Sequence, residues 1–133
     1  MIYLIDTDIV IYSLKNQSTV KYNFRKHAND PKMISVITYG ELIHGAKKSR
    51  DHQKNTATVH RISELFPVVD VTKSIMETFA DIKTVLQRQG NIIDDMDLII
   101  AATAITMNYT LVTNNEKHFS RISDLRIENW AVK

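Results

Sequence analysis

The sequence predicts an α/β fold built on a parallel sheet. Three observations carry this: short β-branched apolar runs separated by helix-length segments, turn and capping residues at nearly every junction, and a late segment apolar on all sides that suits a buried helix. Ile2–Ile5 reads as a buried strand, and a short helix follows from Thr7 or Asp8. Ser18 or Thr19 can cap a second helix running to about Asn29, where Asp30-Pro31 breaks it. Met33–Ile37 reads as strand two. Thr38 then starts a helix through about Ser49, and another covers Lys54–Phe66. Val68–Val71 is a short third strand. Thr72 can cap a long amphipathic helix with Ile75, Phe79, Ile82 and Leu86 on one face and Gly90 just past its end. Asp94 or Asp95 caps an apolar helix over 96–107. Thr110–Thr113 forms strand four, and a last strand lies near Leu125–Glu128. No repeat, linker or low-complexity segment interrupts the order, so residues 1–133 read as one domain.

Composition narrows the class. A chain of 133 residues, 44% hydrophobic and 24% charged, has enough apolar mass for a core. With no cysteine there is no disulfide framework, thiolate metal site or thiol nucleophile. The apolar N-terminus lacks a basic leader and is interrupted by Asp6 and Asp8, and no apolar run approaches the roughly 18 residues of a membrane span. The expected address is the cytoplasm, with no membrane partner. Net charge is only +2, yet residues 15–61 hold ten Lys and Arg against Asp30, Glu41 and Asp51, a balance of +7 that leaves −5 on the remainder. A basic segment beside an acidic core suits an enzyme acting on a polyanion, although exposed helices commonly carry Lys and Arg for solubility alone.

Carboxylates occupy the ends of the most apolar segments. Asp6 closes strand one and Asp8 follows; Glu41 comes shortly after strand two; Asp97, behind Asp94 and Asp95, opens the run Leu98–Ile105. A lone carboxylate at a buried segment costs several kcal/mol or more unless it is neutralised, hydrogen-bonded or bound to a cation. In open α/β sheets the carboxyl ends of the strands form the functional crevice, which would gather Asp6, Glu41, Asp97 and the Thr113-Asn114-Asn115 exit of strand four on one rim. These are hard oxygen donors, and no His pair has chelating spacing, so Mg²⁺ or Mn²⁺ is favoured over Zn²⁺. Each acid also has a structural reading. Thr38-Tyr-Gly-Glu41 has the spacing of a capping box, and Asp94, Asp95 and Asp97 suit the first turn of a helix. Asn115 is an ordinary turn residue. Asp6 has the weakest structural explanation, since ending a central strand offers an acid little.

The segments Ile5-Asp6-Thr7-Asp8-Ile9, Ser35–Ala46 (SVITYGELIHGA), Asp97–Ala102 (DLIIAA), Leu111–Asn115 (LVTNN) and Leu125–Trp130 (LRIENW) together resemble the PIN-domain ribonucleases, with closest likeness to the VapC toxins of bacterial toxin–antitoxin pairs. The resemblance runs the length of the chain in order. It implies a PIN-like α/β/α sandwich with a central, mostly parallel sheet and Mg²⁺- or Mn²⁺-dependent hydrolysis of RNA. By position, the family's acidic triad falls on Asp6, Glu41 and Asp97. Asp8 stands where the family usually has Asn, Asn115 and His118 stand where many members carry a fourth acid, and Asp94-Asp95 occupies a stretch that commonly reads Gly-Pro.

The expected mechanism is phosphodiester hydrolysis by activated water. Asp6 and Asp97 hold the principal metal, Glu41 completes its shell or orients the water, and Asn115 steadies a second ion, a water or the scissile phosphate. Lys47, Lys48 and Arg50 are the expected guides for the RNA backbone; Lys48 shares a helix face with Glu41 at a spacing of seven. Tyr12, Phe24 and Tyr39 have ring faces for stacking on unpaired bases, with core packing the commoner role. A structured RNA such as a tRNA loop is the expected substrate. The resemblance further implies a homodimer, a cognate VapB-like antitoxin that supplies DNA binding, and a toxin–antitoxin hetero-oligomer; Tyr22, Phe24, Val59 and Ile62 offer either an apolar patch for that partner or core. Two other classes share parts of the pattern. A haloacid-dehalogenase-like phosphatase would use Asp6 as nucleophile and Asp8 as acid but would leave Glu41 idle. A non-enzymatic phospho-receiver needs an aspartate at the end of strand three, where Asp70 is the nearest. A metal-independent ribonuclease is disfavoured because the five histidines show no convergent pattern; it would leave a 2′,3′-cyclic phosphate, whereas activated water leaves a 5′-phosphate.

Overall fold

A computed structural model describes all residues, Met1–Lys133. Five strands, β1 (Tyr3–Ile5), β2 (Lys32–Ser35), β3 (Val68–Val69), β4 (Thr110–Val112) and β5 (Ile127–Glu128), form one sheet in the order β3-β2-β1-β4-β5, with every neighbouring pair parallel. Seven helices accompany them: α1 (Thr7–Leu14), α2 (Ser18–Lys26), α3 (Val36–Lys47), α4 (His52–Leu65), α5 (Lys73–Arg88), α6 (Asp95–Met107) and α7 (Glu116–Phe119).

The sheet is buried on both faces, and strand alternation divides the core between them. Tyr3, Ile5 and Val112 face a cluster with Ile9, Val20, Leu42, Val59 and Trp130 from the side of α1–α4. Leu4 and Leu111 face Leu86, Leu98, Ala101, Ala104 and Phe119 from the side of α5 and α6. This is the expected α/β/α sandwich in a single unit. The apolar helix is buried as its composition requires: Leu98, Ile100, Ala101, Ala102, Thr103 and Ala104 of α6 are all inaccessible, and Asn108 ends it in the left-handed conformation at φ 59°. Gly90 closes α5 at φ 73°, where a side chain would be strained.

Most boundaries fall within two residues of the sequence reading, but two helix starts and one short helix differ for physical reasons. Val36 and Ile37 belong to α3 rather than β2, because the Ser35 hydroxyl accepts the Ile37 N–H at 3.1 Å and caps the helix one turn earlier than Thr38. In the second helix Gln17, not Ser18 or Thr19, is the cap: its Oε1 accepts the Val20 N–H at 2.9 Å, and the helix stops at Lys26. The single turn α7, immediately after strand four, has too little apolar periodicity to be read from sequence.

Candidate active site

The carboxyl ends of β1, β2 and β4 lie side by side at the centre of the sheet, and the residues leaving them build one rim. Asp6 follows β1 directly and is 6% exposed. Its Oδ1 accepts the Thr7 N–H at 2.8 Å, so it caps α1, a structural role the sequence reading missed. Its Oδ2 accepts the Thr113 hydroxyl, also at 2.8 Å, across the β1–β4 seam. Burial, the charge of Asp8 and, to a lesser degree, that of Asp97 push the Asp6 carboxyl up to about 7 against the two hydrogen bonds that favour its ionised form.

Asp8 lies one step along α1. Its Oδ2 accepts the backbone N–H of Asn114 at 3.1 Å, while its Oδ1 is buried with no hydrogen-bond partner. Burial raises its pKa, opposed by the Asn114 bond. Glu41 enters from α3, exposed at the rim, and its Oε1 accepts the Thr7 hydroxyl at 2.7 Å; that hydroxyl lies 3.1 Å from the buried Thr38 hydroxyl. The capping-box reading of Thr38 and Glu41 is therefore corrected. With Ser35 as cap, Thr38 lies inside the helix, and Glu41 reaches α1 rather than its own N-terminus.

Asp97 completes the rim from the first turn of α6, half-buried, with Oδ2 3.8 Å from Nδ1 of His118. Burial raises its pKa first and Asp94 second; the proximity of His118 lowers it, and Glu41 and Asp8 raise it further. The charges of Asp6, Asp8, Glu41 and Asp97 are thus felt across one small region. Asn115 stands at its edge, donating its backbone N–H to the Thr113 hydroxyl at 3.0 Å and placing its amide nitrogen 3.0 Å from His118 Nδ1. The other two acids have structural work: Asp94 caps α6 by accepting the Met96 N–H, and Asp95 pairs with Lys83 at 2.9 Å.

The remaining sequence-predicted residues lie off this rim. Lys47, Lys48 and Arg50, at and beyond the end of α3, are exposed and in no ion pair. Tyr12 accepts a hydrogen bond from the Asn114 amide, Phe24 stacks on Phe66 at 5.9 Å, and Tyr39 packs on the core, so all three serve packing. Val59 and Ile62 are core and Phe24 is partly buried, leaving Tyr22 as the exposed member of the apolar patch read from sequence. Asp70 is exposed beyond β3, an edge strand, away from the central seam a receiver aspartate would need.

The chain matches the PIN-domain family model over residues 3–125. It belongs to the PIN-domain family. Within that family it is 35% identical to Ribonuclease VapC2 of Rickettsia felis, over 98% of both chains, and 34% identical to the tRNA(fMet)-specific endonuclease VapC of Shigella flexneri, over 97% of this chain and 98% of that one. The structure of VapBC2 from Rickettsia felis bound to a DNA fragment from their promoter superposes with a TM-score of 0.91, covering 98% of this chain and 99% of that chain. PIN membership over nearly the whole chain replaces the phosphatase and receiver alternatives.

As the side chains stand, no three His, Asp or Glu residues converge closely enough to hold an ion. The donor set suits a hard divalent cation nonetheless: every acid on the rim offers oxygen, Asp6 is buried beside like charge, and Asp8 Oδ1 has no partner.

Proposed function

We propose that this chain is a Mg²⁺- or Mn²⁺-dependent endoribonuclease, the toxin of a toxin–antitoxin pair. Its likeness to VapC ribonucleases along its whole length supports the activity. The observation that carries the chemistry is the placement of Asp6, 6% exposed, on one rim with Asp8, Glu41 and Asp97, where burial and like charge push its carboxyl up to about 7. A site that resists its own charge is one that a cation relieves.

In this reading Asp6 and Asp97 hold the principal ion, and Glu41, steadied by Thr7, completes its shell or orients the attacking water. Asn115, anchored through Thr113, steadies a second ion, a water or the scissile phosphate. When bound, a divalent ion makes hydroxide available near neutral pH and offsets charge on the phosphoryl oxygens. The Thr113 hydroxyl keeps Asp6 aimed at the rim through its bond to Oδ2. Lys47, Lys48 and Arg50 guide the RNA backbone toward Glu41; seven residues of helix place Lys48 roughly 10 Å along the axis from it, within two nucleotides of reach. The substrate is a structured RNA with an unpaired loop, of which a tRNA is the leading example given the relative that acts on tRNA(fMet). Partners in this reading are a VapB-like antitoxin, through which DNA is bound, and a second copy of the chain.

The test is cleavage of labelled small RNA with Mg²⁺, Mn²⁺ or EDTA, using the wild type, Asp6→Ala and Asp97→Ala. Discrete 5′-phosphate products that need metal and vanish in both variants support the reading. Cleavage in EDTA, or a 2′,3′-cyclic phosphate product, overturns it.

A further inference from the structure

The loop between β4 and α7 carries Thr113 and Asn115 to the rim, and its middle residue, Asn114, is held from several sides. Its backbone N–H donates to Asp8 at 3.1 Å, its amide nitrogen donates to the Tyr12 hydroxyl at 3.2 Å, and its Oδ1 accepts from the Asn129 amide at 3.0 Å. Asn129 has both polar atoms of its own side chain engaged. Oδ1 accepts the Ala131 N–H at 2.9 Å, and Nδ2 donates to Asn114 and to Glu116 Oε2, both at 3.0 Å. The base behind it is fixed: Trp130 is buried, stacked on His27 at 4.7 Å and edge-on to Tyr3 and Phe24, with its indole N–H donated to Glu128. The closing segment Leu125–Trp130 thereby touches the rim loop through one amide. Surface amide contacts compete with water and add little stability, so four interlocked side chains from four segments do more for position than for stability.

We propose that Asn129 is a positioning residue of the ribonuclease site: anchored on Trp130, it holds Asn114 so that Thr113 meets Asp6 and Asn115 stays at the edge of the rim. This rests on the rim being the site of RNA cleavage. Asn129 makes no hydrogen bond to Asp6, Glu41 or Asp97, and it acts through Asn114. A misplacement of about 1 Å by a remote substitution can cost up to about a hundredfold in rate. RNA affinity comes mainly from phosphate contacts and is left intact. The network can also be rebuilt with its polarity reversed. Asn129→Asp keeps the acceptor for the Ala131 N–H but turns a carboxylate oxygen toward Glu116 and Asn114 Oδ1. Adding Glu116→Gln lets the introduced amide donate to the introduced carboxylate, while the Asn114 amide turns over to donate to it and accept from the Tyr12 hydroxyl.

The experiment measures single-turnover cleavage of labelled small RNA with Mg²⁺ or Mn²⁺, and affinity for the same RNA in EDTA. It compares the wild type, Asn129→Ala, Asn129→Asp, each of these with Glu116→Gln, and Asp6→Ala. Asn129→Ala and Asn129→Asp are expected to cleave at least about tenfold more slowly, with RNA affinity within about threefold of the wild type. Glu116→Gln should restore the rate in the Asn129→Asp background and leave it low in the Asn129→Ala background. An Asn129→Ala rate within about threefold of the wild type overturns the proposal, as does an equal fall in rate and affinity. A failure of Glu116→Gln to separate the two backgrounds overturns it as well. So does an Asn129→Ala protein unfolded at the assay temperature, since Asn129 would then serve the fold. Asp6→Ala keeps the failures apart: if it cleaves like the wild type, the rim is not the site and both readings fall; if it is inactive while Asn129→Ala is not, the role of Asn129 alone falls.

Discussion

Neutralising Asp6 without changing its shape, by Asp6→Asn, is expected to flatten the pH dependence of stability of the metal-free protein. The folded-state pKa lies near 7 against an ordinary value of 3.8. Between those values the folded protein holds a proton that the unfolded chain releases, so stability is full below about pH 4 and falls as pH rises toward 7. Three units at 1.36 kcal/mol each amount to about 4 kcal/mol in all, of which roughly 3 kcal/mol is lost between pH 5 and pH 8. For a domain of this size that corresponds to a drop of about 10 °C in Tm. Asp8 and Asp97, whose pKa values are also raised, contribute with the same sign and leave a residual slope in the variant. The assay is thermal unfolding in EDTA at pH 5, 6, 7 and 8 for the wild type and Asp6→Asn. Equal slopes for the two proteins, or a wild type more stable at pH 8 than at pH 5, would refute the claim that Asp6 is held against its charge.

Other consequences can be measured on the same protein. Mn²⁺ added at pH 8 should recover most of the stability lost by the wild type and little of it in Asp6→Asn, seen as a Tm shift by calorimetry. Thr113→Val removes the donor to Asp6 Oδ2 and should lower RNA cleavage about tenfold with a smaller change in Tm, while Thr113→Ser keeps most activity, as single-turnover rates would report. Replacing Lys47, Lys48 and Arg50 together by Ala should weaken binding of an uncleaved RNA in EDTA and reduce the slope of log affinity against log salt by up to about three, measured by fluorescence anisotropy. Ser35→Ala should cost about 1 kcal/mol in urea unfolding through loss of the α3 cap, whereas Thr38→Ser should leave that cap intact.

The elements most legible in the sequence are those where burial and composition agree. The apolar stretch Leu98–Ile105 reads as a buried helix, and the short apolar runs Ile2–Ile5 and Thr110–Thr113 read as buried strands, an order that sets Asp6, Asp97 and Thr113 at one rim. Ambiguity entered where one residue type serves two elements. Val36 and Ile37 have strand chemistry yet begin α3, because Ser35 supplies a cap that local propensity does not weigh. The partners of the acids were less visible. Thr7 joins Glu41, Asn114 joins Asp8 and His118 joins Asp97 across separations that exist only once the sheet is assembled. A threonine directly after a strand-ending aspartate was the one available hint of such a link.

The Asp6–Thr113 hydrogen bond spans 107 residues, and β1 pairs with β4 across the same distance in the chain. The first strand made is thus central to the sheet but waits for almost the last one before both its edges are filled. Such long-range closure is slow relative to local helix formation. A growing polypeptide therefore carries its acids apart until synthesis is nearly finished, and the reactive rim comes into being only with the final fifth of the chain.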